Sequence, residues 1–512
     1  MQQLHDMNTI EPVQFPSLED KRDSLTYLMY LKKKRCGKIK GRGCADGRKQ
    51  RNKNSKQEVS SPTVAIESVF LTSIVDAEEQ REVAVVDIPG AYMHADVDEH
   101  IIVRFDRNMA EMLELIEPKI YKPYIQVDST GKKVLYAKLK KALYGCLKSG
   151  LLFWRNLAEL LQKTGFVLNP YDPCVANKTI NGKQCTVIWH VDDLKISHSD
   201  PTVVADIIAI LEKKYGKMSV SRGTTHEYLG MTLDFSKKGK VIIDMRNYVK
   251  RVLEASGNAS LGYSGTPATS DLFKVDDKST PLNEEEAQRF HTMTAKLLFL
   301  SKRSRPDILT SVAFLTTRVT KPTEEDNKKL DRTLRYLHLT SNMVLTLESE
   351  GKGIFYWRAD GAFAVHDDMR SHTGACGTMG KGSFYSSSTR QKLNTKSSTE
   401  AELVAADDVL PQLLWTRNFM IGQGYGVENN ILYQDNLSTM LLERNGKASS
   451  GKRTRAINIR YFYITDKIKS GILEVEHEST DDMVADFLSK PLQGSSFKKF
   501  RDNLLNVQPT PQ

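Results

Sequence analysis

At 512 residues the chain exceeds what one compact core supports, so two to four domains are expected. With 40% apolar and 27% charged residues it has the make-up of an ordinary folded chain, and a formal charge of +10 with a pI of about 9.0 suits a partner that carries phosphates. Six cysteines without a C-x-x-C pair argue against a zinc knuckle or a disulfide framework, and no apolar run approaches a membrane span.

The N-terminus, MQQLHDMNTIEP, has no hydrophobic signal core and opens as if within a domain, which suggests a truncated gene or a piece of a polyprotein. Residues 32–56 hold twelve Lys and Arg against the single acid Asp46. A solvated basic tail would read this way. However, Gly37, Gly41, Gly43 and Gly47 recur at hairpin-like intervals, and Leu28-Met29-Tyr30-Leu31 leads straight in. A helical stretch is expected over Pro62–Ala77, then a buried strand Val83–Val86 ending at Asp87. Residues 134–145 (VLYAKLKKALYG) read as a strand entering a turn. Asp128-Ser129-Thr130-Gly131 reads as a hairpin turn in preference to an aspartic protease signature.

In 186–200, TVIWHVDDLKISHSD, apolar and β-branched runs flank Asp192-Asp193 and predict a hairpin with both acids at the bend. A strand at Val241–Ile243 and a helix at Tyr248–Ala255 follow. Residues 257–280, rich in Ser, Thr, Gly and Asp, are the best linker candidate. Helices are expected from Asn283 to Thr340, interrupted at Arg305-Pro306 and Lys321-Pro322. Beyond Gly351 the pattern becomes a compact α/β unit. Its strands lie at 353–357 (running to Asp360), 374–379 and 383–387, and a long helix runs from Ser398 to Gln423 with Thr399 and Glu402 as a capping box. A strand at 431–433 leads to Asp435, helices span 437–444 and 459–468, a last strand spans 472–475, and a closing helix spans 481–489.

If the strands ending at Asp87 and at Asp192-Asp193 are neighbours, three carboxylates meet at one sheet edge. Such a set can hold two Mg²⁺ ions about 3.5–4 Å apart, bridging an attacking oxygen and a leaving phosphate. The alternative is a set of solvated turn acids.

Asp87-Ile88-Pro89-Gly90-Ala91-Tyr92, Leu143-Tyr144-Gly145, His190-Val191-Asp192-Asp193 and Glu227-Tyr228-Leu229-Gly230 occur in the order seen in reverse transcriptases. Together with 299–316 (FLSKRSRPDILTSVAFLT) and 333–340 (TLRYLHLT), they resemble the Pol polyprotein of copia-type (pseudovirus) LTR retrotransposons over nearly the whole chain. The resemblance implies that Asp87 and Asp192 are the principal metal ligands and Asp193 their partner. It implies that Tyr92 lies under the incoming sugar, where a rigid ring would exclude a 2′-hydroxyl. Lys38 and Arg42 fall where basic residues reach the triphosphate. The second half resembles the ribonuclease H domain of such proteins through 397–403 (SSTEAEL), 434–439 (QDNLST) and 484–492 (VADFLSKPL). Asp360, Glu402, Asp435 and Asp486 are implied as its metal-binding catalytic acids. Glu400 competes with Glu402 for one role, because residues two apart on a helix face different ways.

Three positions depart from the family pattern. His190 stands where Tyr usually precedes the acids, Lys148 where a Gln touches template–primer or nucleotide, and Ala456 where His is common. A cation at 148 could bind a phosphate but cannot supply an amide's donor and acceptor.

The resemblance implies an α+β right-hand polymerase followed by a mixed α/β ribonuclease H-like domain. The expected segments are 1–60 (fingers, N-terminal part), 61–256 (palm and fingers), 257–350 (thumb and connection) and 351–512 (nuclease). The implied activity is RNA-directed DNA synthesis with cleavage of RNA in RNA–DNA hybrids, using two Mg²⁺ or Mn²⁺ ions per site. The implied partners are an RNA template, a DNA primer, RNA–DNA hybrid, dNTPs and other products of the same polyprotein, with no membrane. The implied location is cytoplasmic, in a virus-like particle, with the nucleus as a second place. The alternative is a degenerate remnant that binds nucleic acid without polymerising, its nuclease retained.

Overall fold

The structure is a computed structural model that describes residues 1–33, 37, 39–52, 55–257, 262–446 and 458–507. Among the described residues four sheets form, and helices separate them. No helix there is long and apolar enough to cross a membrane.

The first sheet runs Ile10–Pro12, Lys133–Leu139, Ile102–Asp106, Leu25–Lys33, Ile39–Ala45. It has its own core, built on Leu25, Tyr27, Val103, Phe105, Leu135 and Ala137. The Leu25–Lys33 strand alternates buried and half-buried positions only in its first half, and its cationic second half is exposed. There it pairs with Ile39–Ala45, so the described residues of the basic stretch up to Ala45 lie in a sheet and not in a free tail. Asp128 accepts from the backbone N–H groups of Thr130 and Lys132 at 2.8 and 3.1 Å, and Gly131 has φ +77°, so residues 128–131 are the hairpin turn expected of them.

The second sheet is antiparallel throughout, in the order Ser219–Ser221, Glu82–Asp87, Asp193–His198, Lys183–His190, Asp172–Ile180, Val167–Asn169. The Ile66–Glu78 helix is buried over ten consecutive residues, Ser68–Ala77, because it is enclosed on all sides. It starts four residues later than the sequence suggests. Asp172 Oδ2 accepts from Ala65 N at 2.9 Å and from Ser68 Oγ at 2.6 Å, capping the helix from a distant strand.

The third sheet joins the two halves of the chain. Lys240–Asp244 pairs with Leu345–Ser349, which pairs with Gly380–Lys381. Between them lie the helices Glu284–Ser301, Leu309–Arg318 and Glu324–Leu339, broken at the two expected prolines. Asn283 and Thr323 close capping boxes with Glu286 and Asp326. The 257–280 linker expectation needs correction. Ala268, Leu272 and Phe273 are buried, and Thr266 Oγ1 donates to Gln493 Oε1 at 3.0 Å, so its described part from Thr266 onward is a packed strap. A few apolar residues in a polar background hold it down.

The fourth sheet runs Tyr385–Arg390, His372–Thr378, Ile354–Ala362, Asn429–Gln434, Glu474–His477. The first three strands are antiparallel and the last two run parallel to the central one. The strand expected at 472–475 lies at Glu474–His477, and the closing helix shrinks to Asp486–Ser489. A further helix, Gly494–Leu505, buries Phe497, Phe500, Leu504 and Leu505 at helical spacing that the sequence reading passed over. One continuous core runs through the second, third and fourth sheets. The chain is therefore α+β, as read.

Candidate active sites

The first cluster is set by register. Asp193 opens its strand directly opposite Asp87, which ends its own. Directly opposed residues project to the same face of a sheet, so both carboxylates stand at one end of it. His190 and Asp193 close a two-residue turn, Val191-Asp192. Val191 sits at φ +59°, where a β-branched side chain is strained. The turn is pinned by Ile88 N donating to Asp192 O at 3.0 Å, which ties the double acid to the end of the Asp87 strand. Burial first, then the Asp87 carboxylate, push Asp192 above the usual carboxylate range, and His190 and Arg42 oppose the shift. Asp193 shifts the same way, from burial and then from Asp192 and Asp87. The acids thus share one end of the sheet. They are not drawn as close as those of the second cluster.

Tyr92, in a short turn over Ala91–His94, packs its ring against Tyr144 at 4.4 Å between centroids. Burial and then Asp192 raise its pKa, and the same two causes push Tyr144 up to about 12, so both phenols face the acid. Nothing in the Leu143-Tyr144-Gly145 string itself signals this contact. The Ile39–Ala45 strand docks at this point. Ala45 N donates to Tyr144 O at 2.7 Å, and a Cβ on Gly145 would lie 2.0 Å from Ala45 O. Gly145, at φ +93°, is needed for that approach. The dock brings the exposed Arg42 within electrostatic reach of Asp192. Lys38 and Ala456 lie outside the described residues. Lys148 occupies the N-cap position of the Ser149–Lys163 helix with its ammonium bound to Glu99, and Glu99, Asp98 and Glu58 hold its pKa up, so acids already neutralise it.

The second cluster converges more tightly. Asp360 lies within the central strand, two residues before its end at Ala362. Asp435 follows the Asn429–Gln434 strand, and Asp486 opens its short helix. One carboxylate oxygen from each of Asp360, Asp435 and Asp486 lies within 4.8 Å of the others, and among the described residues no other group of three or more His, Cys, Asp or Glu meets that distance. Glu402 reaches the same place from the Ser398–Gly422 helix, where its Oε2 accepts from Gly361 N at 3.0 Å. A Cβ on Gly361 would meet Ala401 O at 2.3 Å, so the missing side chain lets the helix approach the strand.

Glu400 has another task. Its Oε2 accepts from Lys396 N at 2.7 Å, and its N–H donates to Ser397 Oγ at 3.3 Å. The cap is Ser397 with Glu400, not Thr399 with Glu402, because the helix starts at Ser398. That offset turns Glu402 inward.

Burial, then Asp360 and Asp435, drive the Glu402 carboxyl well above its ordinary range. Burial and Asp360 push Asp486 up to about 7. Lys490 Nζ answers these acids, bonding Asp486 Oδ1 at 2.8 Å and Asp360 Oδ1 at 3.3 Å, while Ser489 Oγ donates to Asp360. Both residues sit in the 484–492 motif, where nothing in the string itself marks them as partners of the acids. Mutually repelling buried carboxylates with oxygen-only donors fit a hard divalent cation.

A family model described as reverse transcriptase (RNA-dependent DNA polymerase) matches residues 8–268, and the chain belongs to that family. Over 90% of its length it is 26% identical to the retrovirus-related Pol polyprotein from transposon TNT 1-94 of Nicotiana tabacum, of which it covers 34%. It is 24% identical to that from transposon RE1 of Arabidopsis thaliana over 91% of its length, covering 30% of the relative. It is also similar to the transposon Ty1-LR2 Gag-Pol polyprotein of Saccharomyces cerevisiae, with 22% identity over 94% of its length and 27% of the relative. The chain thus spans 27–34% of the length of these curated relatives, and the copia-type resemblance is borne out. Two solved structures share the fold at 12% identity and a TM-score of 0.53. These are foamy viral protease-reverse transcriptases, one (dRH) with double-stranded DNA and one with RNA/DNA hybrid, of which this chain covers 68% and 54%.

Proposed function

We propose that this reverse transcriptase family chain carries both an RNA-directed DNA polymerase and a hybrid-cleaving ribonuclease H, serving the replication of a retrotransposon. One observation supports the two-site reading above others: acids far apart in sequence gather into two separate clusters, at one end of the second sheet and on the fourth. Asp87, Asp192 and Asp193 would hold the divalent cations of the polymerase, and Asp360, Glu402, Asp435 and Asp486 those of the nuclease. When bound, two Mg²⁺ or Mn²⁺ ions supply activation of the attacking oxygen and neutralisation of charge at the phosphate. The chain's own residues bind and orient. Tyr92 would lie under the sugar of the incoming dNTP, and Arg42 with Lys38 would meet its triphosphate through charge-assisted hydrogen bonds. Lys148 would serve nucleotide binding only after leaving Glu99. Basic surfaces would grip template and primer through their phosphates, so binding should weaken steeply with salt.

A second reading, a nuclease with an idle polymerase, is favoured by the looser first cluster and by the neutralised Lys148. Primer extension on an RNA template, run beside degradation of labelled hybrid with and without Mg²⁺, decides. Asp192→Asn should abolish extension and spare cleavage, and Asp435→Asn should do the reverse. Loss of both activities in either variant would refute the two-site assignment. Wild-type cleavage without extension would establish the second reading.

A further inference from the structure

The helix that brings Glu402 to the nuclease acids has 25 residues and so extends about 37 Å. Its far end does not stop in solvent. Asn169, buried at the edge of the second sheet, donates to Phe419 O at 2.9 Å and to Gln423 Oε1 at 3.3 Å. Asn177 also donates to Gln423 Oε1, and Gln184 donates to Gln423 O. Side chains of the sheet that bears Asp87 and Asp193 thus bind the end of this helix: Gln184 supplies a donor to the C-cap carbonyl of Gln423, and Asn169 adds a second donor to Phe419 O, which already accepts from Gln423 N at 2.9 Å.

Beyond the helix, Tyr425 Oη accepts from Arg81 Nη2 at 2.8 Å and donates to Gln184 Oε1 at 2.6 Å. Lys352 pairs with Glu79 at 2.6 Å, and Trp415 Nε1 donates to Tyr171 O at 3.1 Å. The contact also continues inward. Arg81 lies 3.6 Å from Asp76, and Asp76 accepts from the fully buried Lys195, two residues beyond Asp193. A buried polar network of this kind has one satisfied arrangement, and sliding the two surfaces would orphan several groups at once.

We infer that this clasp is a positioning device: it holds the nuclease acids at one fixed separation from the polymerase acids, so that RNA is cut at a single distance behind the primer 3′ end. The inference rests on the two-activity reading proposed above. Neither Gln423 nor Tyr425 belongs to either acid cluster, so altering them should move the place of cutting more than its rate.

The test uses the full chain with Mg²⁺ and 5′-labelled RNA annealed to a DNA primer with a recessed 3′ end. Wild type should give one dominant cut that shifts by one nucleotide for each nucleotide added to the primer. Gln423→Ala with Tyr425→Phe should spread the cuts over several nucleotides, while extension and total hybrid cleavage each stay within about twofold of wild type. Amide exchange across 165–185 and 417–425 should lose protection in the same variant. Tyr425→Phe alone removes one hydroxyl and gives a milder spread if the double variant folds poorly. A single cut despite lost protection, or unchanged protection in the double variant, overturns the inference. Scattered cutting by wild type also overturns it, whereas no cutting by wild type sinks the nuclease reading instead.

Discussion

Glu443 offers a quantitative test of how the C-terminal half is held together. It lies in the Leu437–Asn445 helix that follows Asp435, has no exposed surface, and neither carboxylate oxygen has a hydrogen-bond partner. Burial raises its pKa from 4.5 to about 8, against a small opposing effect of Arg444. The folded protein therefore keeps this proton over a range in which the unfolded chain has lost it. Because the folded pKa of this acid is raised, stability falls as pH climbs from about 4.5 to about 8. Each pKa unit corresponds to about 1.4 kcal/mol, so the loss reaches on the order of 3 kcal/mol by neutral pH. Glu443→Gln keeps the shape and removes the titration. The variant should match wild type near pH 4.5 and exceed it increasingly up to pH 8. Glu443→Met, which also removes the unpaired polar atoms, should be at least as stable at pH 7. Urea unfolding from pH 5 to 8, with amide exchange of residues 437–445, reads both. A difference between wild type and Glu443→Gln that does not change with pH would refute the reasoning.

Two further outcomes are expected. Arg305 is wholly buried, pairing with Asp307 at 2.8 Å and donating to Thr340 O, while Tyr336 Oη donates to Asp307 at 2.7 Å. Arg305→Met strands that carboxylate and should cost about 3–5 kcal/mol in urea unfolding, and adding Asp307→Leu should recover much of the loss. No recovery in the double variant would show that the pair contributes more than mutual neutralisation. Tyr92→Ala should lower the dNTP-over-NTP ratio of kcat/KM by at least tenfold, about 1.4 kcal/mol of discrimination. An unchanged ratio would remove Tyr92 from beneath the sugar.

Residue pattern alone made some of these features legible. Val83–Val86 ending in Asp87, and the apolar flanks of Asp192-Asp193, mark strands whose acids must emerge at their ends. Asp360, Glu402, Asp435 and Asp486 stand out through the motif strings that hold them. Other features left no such signal. Asn169, Gln184 and Gln423 are polar residues in unremarkable surroundings, and only their meeting across 254 and 239 positions gives them a purpose. Phe273 is one aromatic in a polar stretch, and nothing local says that it packs at 4.6–4.8 Å against His366 and His372. Glu400 and Glu402 are equal in composition, and a two-residue difference in where the helix is capped separates them.

What the chain order determined by itself is local: alternation, capping residues, turn acids, and the motif strings that place the protein among reverse transcriptases. Such features are fixed by backbone geometry and burial within a few residues. The tertiary structure alone decided which carboxylates face each other, which lysine is already neutralised, and how the two halves are joined. Those outcomes depend on contacts between distant segments, where electrostatics and close packing act through space and not along the sequence.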